Sequence, residues 1–467
     1  CLMKKGDCIE LDIDGTAFKG KGIGRFEERA VFVKGAMPGD RVSARIIKKK
    51  KKYLEAKLLD ILSPSPDRIT PHCKHAGVCG GCSWQHVPYT KQLEFKRQQV
   101  EDHLRRIGKC TTVVNDIIGC PDPLYYRNKM EYSFSPRRWL TEQEIRSEEF
   151  VDDSGFAAGL HAPGRFDKIL DLQECHLQHP ISFKILDYVR SFAIEHHIEA
   201  YDTFTKEGFF RHLVIRKSHY TQDLMVVLVA YYEDLELVHT LLEGLKSNFP
   251  EITTFIYSIN DTPSPTAYGR IEHVLLGPGT IRDSIGEFSF TIHPKAFFQT
   301  NTQQAEALYN VALEFAQLQA DDTVYDLYCG VGTLSLYLSK VATKVVGIEL
   351  VEEAIENAKK NAVENDVEHA FFVKGDMKET FNETLIAEYG VPTVLVTDPP
   401  RAGMHPDVVQ QLLDLKTPRI VYVSCDSSTM ARDIEKLSSL YKVDAIQPVD
   451  MFPQTYHIET VALLTLK

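Results

Sequence analysis

Five short apolar runs separated by helical stretches restrict the fold of this chain more than any other feature. They are Thr323-Val324-Tyr325-Asp326-Leu327, Lys344-Val345-Val346-Gly347-Ile348-Glu349, Phe371-Phe372-Val373, Val394-Leu395-Val396-Thr397 and Ile420-Val421-Tyr422-Val423. Helical spacing opens at Leu334 and recurs over 351–361. Short strands alternating with helices specify a parallel, doubly wound sheet. Residues 285–467 therefore read as a Rossmann-like α/β domain.

The preceding residues belong to other architectures, so the fold class is multidomain. Over residues 1–62, Cys8-Ile9-Glu10-Leu11-Asp12-Ile13, Ala30-Val31-Phe32-Val33 and 41–47 alternate as strands do. Glycines and Pro38-Gly39-Asp40 supply the turns, and the pattern suggests a small OB-like β-barrel. Ser63-Pro64-Ser65-Pro66 reads as a linker. Residues 63–284 read as a central α+β domain, with helices near 183–198 and 235–248. A basic amphipathic helix over 89–107 presents Leu93, Val100, Leu104 and Ile107 as its apolar positions. The segment 89–118 is expected to pack with the C-terminal domain.

The net charge of −12 hides an asymmetry. Residues 1–62 carry 15 Lys and Arg against 9 Asp and Glu, so the barrel is basic and the remainder strongly acidic. A basic end on an acidic protein still offers a surface for RNA. Phe18, Phe26, Phe32 and Tyr53 are candidate stacking surfaces on it. No apolar run approaches the roughly 20 residues of a membrane helix, and the first residues lack an apolar signal core. A cytoplasmic monomer that does not engage membranes is expected.

Ten cysteines in such a chain point to metal binding or catalysis rather than disulfides. Cys73, Cys79 and Cys82 form a C-x5-C-x2-C cluster that needs a fourth ligand. Cys175 is the best candidate. Four thiolates suit zinc or a [4Fe–4S] cluster, and three clustered thiols with a distant fourth are the commoner iron–sulfur arrangement.

A cofactor site is written at the strand ends. Asp326-Leu327-Tyr328-Cys329-Gly330-Val331-Gly332-Thr333 joins the first strand to its helix, and its glycines let the backbone approach a ligand. Glu349 ends the second strand, where an acid can bind both hydroxyls of a ribose. The loop lacks a full G-x-G-x-x-G, which favours S-adenosylmethionine over a dinucleotide. Asp376 follows the third strand. Asp398-Pro399-Pro400-Arg401 follows the fourth as a rigid loop whose Asp398 can accept hydrogen bonds from cofactor or base.

These segments converge on one family. The chain resembles the 23S rRNA (uracil-5-)-methyltransferases, a group that includes the tRNA (uracil-5-)-methyltransferases. The resemblance is carried by Phe297-Phe298-Gln299-Thr300-Asn301, the 326–333 loop, Asp398-Pro399-Pro400-Arg401, Ser424-Cys425-Asp426 with Ala431-Arg432-Asp433, and Asp450-Met451-Phe452-Pro453 with His457-Ile458-Glu459. It implies that the first sixty residues form a TRAM domain. It implies that Gln299, Tyr328, Gly330, Thr333, Glu349, Asp376 and Asp398 line an S-adenosylmethionine pocket. Cys425 would be the nucleophile and Glu459 the base. Cys73, Cys79, Cys82 and Cys175 would hold a [4Fe–4S] cluster of structural role, and the substrate would be RNA, with 23S rRNA favoured over tRNA. Three positions depart from the pattern: Asp426-Ser427 stands where Asn-Pro is usual, and Gln454 replaces a frequent histidine.

The chemistry explains why a methyltransferase would carry a thiol. C5 of uracil is a weak nucleophile. A thiolate adding at C6 makes the ring an enolate with electron density on C5, and a base must later remove the C5 proton. A uridine in a stacked helix is out of reach, so it would be flipped or taken from a loop. The rival readings are a radical methylthiotransferase, whose C-x3-C-x2-C is missing, and a non-catalytic RNA-binding factor, against which Cys425 and Glu459 argue.

Overall fold

The structure is a computed structural model and describes residues 4–141, 144, 145, 147, 151–162, 168–264 and 266–467. Strands β1 (Cys8–Ala17), β2 (Lys21–Phe26), β3 (Arg29–Lys34), β4 (Arg41–Lys49) and β5 (Tyr53–Ser63) close a barrel in the order β1-β2-β3-β5-β4. Alternate residues point inward: Ile9, Leu11 and Ile13 meet Val42, Ala44 and Ile46 in one core. A Cβ at Gly24 would lie 2.1 Å from the Asp12 carbonyl oxygen, so only glycine lets β1 and β2 cross there. Phe26, Phe32 and Tyr53 are half-buried, Phe32 and Tyr53 in an edge-to-face pair, so they serve the barrel's packing first. The side chain of Phe18 lies outside the described residues.

The 63–66 segment is not a free linker. The Asp40 carboxylate accepts from Ser65 N (2.9 Å), Met37 N (2.8 Å) and both Arg68 Nε (3.1 Å) and Nη2 (2.5 Å), and Ser65 is buried. These bonds hold the Asp40 carboxyl below the usual carboxylate range against the opposing effect of burial.

Helix α1 (Tyr89–Arg106) follows the cysteine loop. The sheet of the middle region has seven strands: β6 (Lys129–Arg137), β7 (Ser154–His161), β8 (Ile169–Asp171), β9 (Phe210–Lys217), β10 (Leu224–Ala230), β11 (Thr254–Ile259) and β12 (Ile271–Leu276), in the order β12-β11-β10-β9-β6-β7-β8. One face is covered by α2 (Pro180–Glu195) and α3 (Leu235–Asn248). The other face, through Val214, Met225, Val227 and Ile256, shares a core with the hairpin β13 (Ile281–Ile285) and β14 (Phe288–Ile292) and with α4 (Thr302–Ala316).

The C-terminal sheet also has seven strands: β15 (Thr323–Leu327), β16 (Lys344–Glu349), β17 (Ala370–Lys374), β18 (Val394–Thr397), β19 (Arg419–Ser424), β20 (Tyr441–Val449) and β21 (Glu459–Leu466). Their order is β17-β16-β15-β18-β19-β21-β20. Strands β15 to β19 are parallel, and β21 runs antiparallel to both its neighbours. The chain leaves β15 first toward β16 and later toward β18. That reversal opens a crevice at the carboxyl ends of these strands. Because β21 runs the other way, its first residue, Glu459, lies at this same edge.

Helix α1 packs on the helix Ser427–Leu437, with Val100 and Leu104 in one core with Met430, Ala431 and Ile434. Its buried face is Gln92, Lys96, Val100 and Leu104, whereas Ile107 is 40% exposed. The stripe runs at i, i+4, i+8 and i+12 with two polar members, which an apolar count passes over.

Candidate active site

A cavity of about 1290 Å³ opens at the carboxyl edge of the C-terminal sheet. Gln299, Tyr328, Gly330, Thr333, Glu349, Asp376, Asp398, Cys425 and Glu459 all line it. Each strand delivers its share by register. Asp326 pairs with Gly347 and Val396, which brings the 326–333 loop beside Glu349 and Asp398. Thr397 pairs with Tyr422, and Ser424 with Thr460, which brings Asp398, Cys425 and Glu459 to successive strand ends.

The glycine loop is shaped for a ligand. Tyr328 adopts φ 68°, Gly330 φ 55° and Gly332 φ 79°. A left-handed tyrosine is a strained residue of the kind that clusters at binding sites. A Cβ on Gly330 would meet nothing within 4 Å, so that glycine faces open space, whereas one on Gly332 would strike Phe372. Glu349 accepts from Gly330 N (3.2 Å) and Val351 N (2.9 Å), tying the second strand's end to the loop. Thr333 Oγ1 bonds the hydroxyl of Tyr309 (2.8 Å), and the Gln299 carbonyl accepts from Asn128 Nδ2 (2.8 Å). Asp376 caps the short helix Met377–Thr380 by accepting from Lys378 N.

The cavity is charged and poorly solvated. Burial pushes Asp326 up to about 7, partly offset by the hydrogen bond from Ser335 Oγ (2.5 Å), and its Oδ1 is buried with no hydrogen-bond partner. Burial also raises Asp398 to about 7. Glu459, 6% exposed, is held well above the usual carboxylate range by burial first and the Asp398 charge second, with Arg401 opposing. Burial pushes the Cys425 thiol up to about 12, reinforced by Glu459 and Asp398 and opposed by Arg401. In the free cavity the thiol therefore keeps its proton, and Arg401 is the neighbour that favours the thiolate. Cys329, the second thiol here, is buried, and burial raises it well above its ordinary value.

Several residues that lie in the motif segments but were given no role of their own also contribute. Phe297, 70% exposed, Arg401, Phe452 and His457 line the cavity. Burial and the charges of Arg401, Lys96 and Arg127 depress His457 to about 4, so it is neutral. The segment leading to Glu459 is locked from α1. Lys96 Nζ donates to Asp450 Oδ1 (2.6 Å) and to the Phe452 carbonyl (3.0 Å), with both charged side chains fully buried. Tyr89 OH donates to Asp450 Oδ2 (2.9 Å). Gln92 and Gln454 exchange two bonds (2.9 and 3.0 Å), and the Ser83 and Trp84 amides donate to the Gln454 carbonyl. The sequence signal for this lock is a lysine and a glutamine on the stripe that continues to Val100 and Leu104.

Cys73, Cys79, Cys82 and Cys175 line a second, small pocket with Leu160, Leu172 and Leu177. Backbone amides of His75 and Gly81 donate to Cys73 Sγ (3.4 Å) and Cys79 Sγ (3.3 Å). Burial raises the thiols of Cys73, Cys79 (to about 11) and Cys82 (to about 12). Cys120 lies elsewhere, beside Asn301. Among the described residues no group of three or more His, Cys, Asp or Glu is disposed to hold a metal ion, and none of the helices is long and apolar enough to cross a membrane.

Comparison with known proteins gives a consistent picture. Residues 281–467 match the family described as tRNA (Uracil-5-)-methyltransferase, and residues 3–59 match the TRAM domain. An uncharacterized RNA methyltransferase of Bacteroides thetaiotaomicron is 44% identical over 454 residues, covering 97% of this chain and 100% of the relative. One from Chlorobaculum tepidum is 42% identical over 465 residues, covering 98% and 96%. Among solved structures, the Pyrococcus abyssi tRNA (uracil-54, C5)-methyltransferase in complex with S-adenosyl-L-homocysteine superimposes with a TM-score of 0.77 at 29% identity, covering 98% of this chain and 100% of the other.

Proposed function

The chain belongs to the RNA (uracil-5-)-methyltransferase family, and from that premise we propose that it methylates C5 of a uridine in 23S rRNA through a covalent bond to Cys425. The observation that carries this reading is the placement of Cys425 and Glu459 at the ends of adjacent strands, on one cavity with the 326–333 loop.

The cavity fits S-adenosylmethionine. A cationic ligand would meet the unpartnered Asp326 Oδ1, Gly330 leaves room for close approach, and Glu349 on the cavity wall would hold ribose hydroxyls. When bound, the cofactor supplies an electrophilic methyl group. The protein's own residues do the rest. Phe297 offers an exposed ring face at the rim for a flipped base. Cys425 would give its proton to water and Sγ would add to C6, moving the C5–C6 electron pair toward C5 as an enolate, a step that the Arg401 charge favours. After C5 has been methylated, Glu459 takes the C5 proton, the C5–C6 double bond re-forms and Cys425 leaves. A carboxylate whose acid is held weak by burial is a stronger acceptor for a proton on carbon.

For the second pocket the reading is a structural [4Fe–4S] cluster on Cys73, Cys79, Cys82 and Cys175. The donor set is four thiols in an apolar setting with amides aimed at two sulfurs, which suits thiolate ligands.

A tRNA substrate is the second reading, favoured by the Pyrococcus abyssi structure, whose chain is matched in full and so carries no extra or missing domain that separates the two. The test is incubation with cofactor and 5-fluorouridine versions of 23S rRNA fragments and of tRNA. The expected result is a denaturant-resistant complex with the rRNA that Cys425→Ala cannot form. Methylation of ordinary RNA by a wild-type enzyme that gives no such complex would sink the covalent route, and a complex with tRNA alone would reassign the substrate.

A further inference from the structure

We propose that His103 is a positioning residue for Cys425, holding the turn that presents the thiol through its hydrogen bond to Ser427. The inference rests on the reading of Cys425 as the nucleophile and adds a residue from outside the methyltransferase sheet. Cys425 follows the last residue of β19 and is separated by one residue from the helix Ser427–Leu437. Within this turn, Asp426 is bonded to its neighbours on both sides. Its amide donates to Ser424 Oγ (3.1 Å), its carbonyl accepts from the same hydroxyl (3.0 Å), and its Oδ1 accepts from Ser428 N (2.9 Å) and Ser428 Oγ (2.6 Å).

These bonds are local. The tie to α1 is the 2.9 Å bond between His103 Nδ1 and Ser427 Oγ, and Ser427 is buried. Ser427 is the first residue of its helix, where the amide has no partner in the helical ladder. The first turn at 427 is therefore held by fewer backbone bonds than the helix interior, and the hydroxyl bond fastens that turn to α1.

His103 is well placed to act as an anchor. It sits in the last turn of α1, and its carbonyl accepts from Ile107 N (2.9 Å) and Gly108 N (3.3 Å). Leu104 beside it shares a core with Met430, Ala431 and Ile434. A Cβ on Gly108 would lie 3.1 Å from the Ala431 carbonyl oxygen, so the end of α1 abuts the helix that Ser427 begins. A proline at 427 would fix φ near −65° and sacrifice no hydrogen bond of the helical ladder, since proline suits the first helical position. It would supply by ring closure what His103 supplies through its bond to the serine.

The test uses the full-length protein with four variants: His103→Ala, Ser427→Ala, Ser427→Pro and His103→Ala/Ser427→Pro. His103→Ala and Ser427→Ala should each lower kcat about tenfold, and slow the 5-fluorouridine adduct by the same factor, with KM and Kd for the cofactor unchanged. The double variant should return to within about threefold of wild type, like Ser427→Pro alone. A double variant as slow as His103→Ala overturns the proposal. So does wild-type kcat in both single variants, or a loss that follows Tm and cofactor affinity together. If His103→Ala does not fold, Ser427→Ala, which removes one oxygen, decides between the same outcomes. Failure of the underlying reading is distinct: Cys425→Ala would then go on methylating, whatever the His103 variants do.

Discussion

Ser424 faces Thr460 across the antiparallel β19–β21 ladder, and one step beyond that pair Cys425 and Glu459 reach the cavity together. The two residues come from strands of opposite direction, one from its end and one from its start. Separating their roles is the first experiment. Cys425→Ala should abolish methylation and adduct. Glu459→Gln should lower turnover about 10³-fold while letting the adduct with ordinary RNA accumulate, because proton removal follows bond formation. Gel-shifted protein under denaturing conditions reads both.

A pH effect follows from the buried carboxyls. Asp398 is raised to about 7 from an ordinary value near 3.8, so the folded state holds a proton that the unfolded state has released. Stability from this group is present below the unfolded value and declines as pH climbs from about 4 to about 7. Asp398→Asn should therefore raise the Tm of the free enzyme by about 2–4 °C at pH 8, with little gain at pH 4, while destroying activity. Calorimetry at the two pH values checks it; an equal shift at both would refute the assignment.

Lys96 and Asp450 form a fully buried ion pair. Removing one partner strands the other, at a cost of about 3–5 kcal/mol. Lys96→Met should lose that much stability in urea unfolding and lose kcat as well, since Asp450 accepts from Phe452 N and anchors the segment before Glu459. Lys96→Met/Asp450→Leu should regain stability but not kcat.

The lysines between β4 and β5 give a salt-dependent readout. Replacing Lys50, Lys51 and Lys52 with Gln should weaken RNA binding and reduce the slope of log K against log salt by about 0.7 for each phosphate no longer neutralised, with cofactor affinity unchanged. An unaltered slope would remove this tip from the RNA surface.

Anaerobically purified protein should contain about four iron atoms per chain, and Cys82→Ser should lose them. Ser83 and Trp84 hold the Gln454 carbonyl, so the same variant should also slow turnover. Zinc in place of iron would overturn the cluster.

What the chain declares in sequence is what repeats or turns. The five strands of the parallel sheet, the glycine loop and the acid ending β16 each follow from short-range patterns. The last hairpin does not. Its strand Glu459–Leu466 is buried along most of its length because it lies between β19 and β20, and its apolar middle, Val461 to Leu464, carries no sign of its direction. The lock on Asp450 is equally hidden, because Lys96 reads as solvent-facing until its partner, far along the chain, is brought beside it. Ser65 in the proline-flanked stretch reads as linker for a similar reason: its amide is claimed by Asp40, and local composition cannot report a distant acceptor.

The helix Tyr89–Arg106 has a consequence for anyone dividing this protein. It precedes the middle sheet in the chain yet belongs, by its Val100, Leu104 and Lys96, to the layer that covers the last one. A fragment cut at residue 285 would leave Met430, Ala431 and Ile434 bare to solvent and Asp450 parted from its counter-ion. The catalytic half is thus a discontinuous folding unit, and an excised version needs the early helix grafted back before it can stand alone.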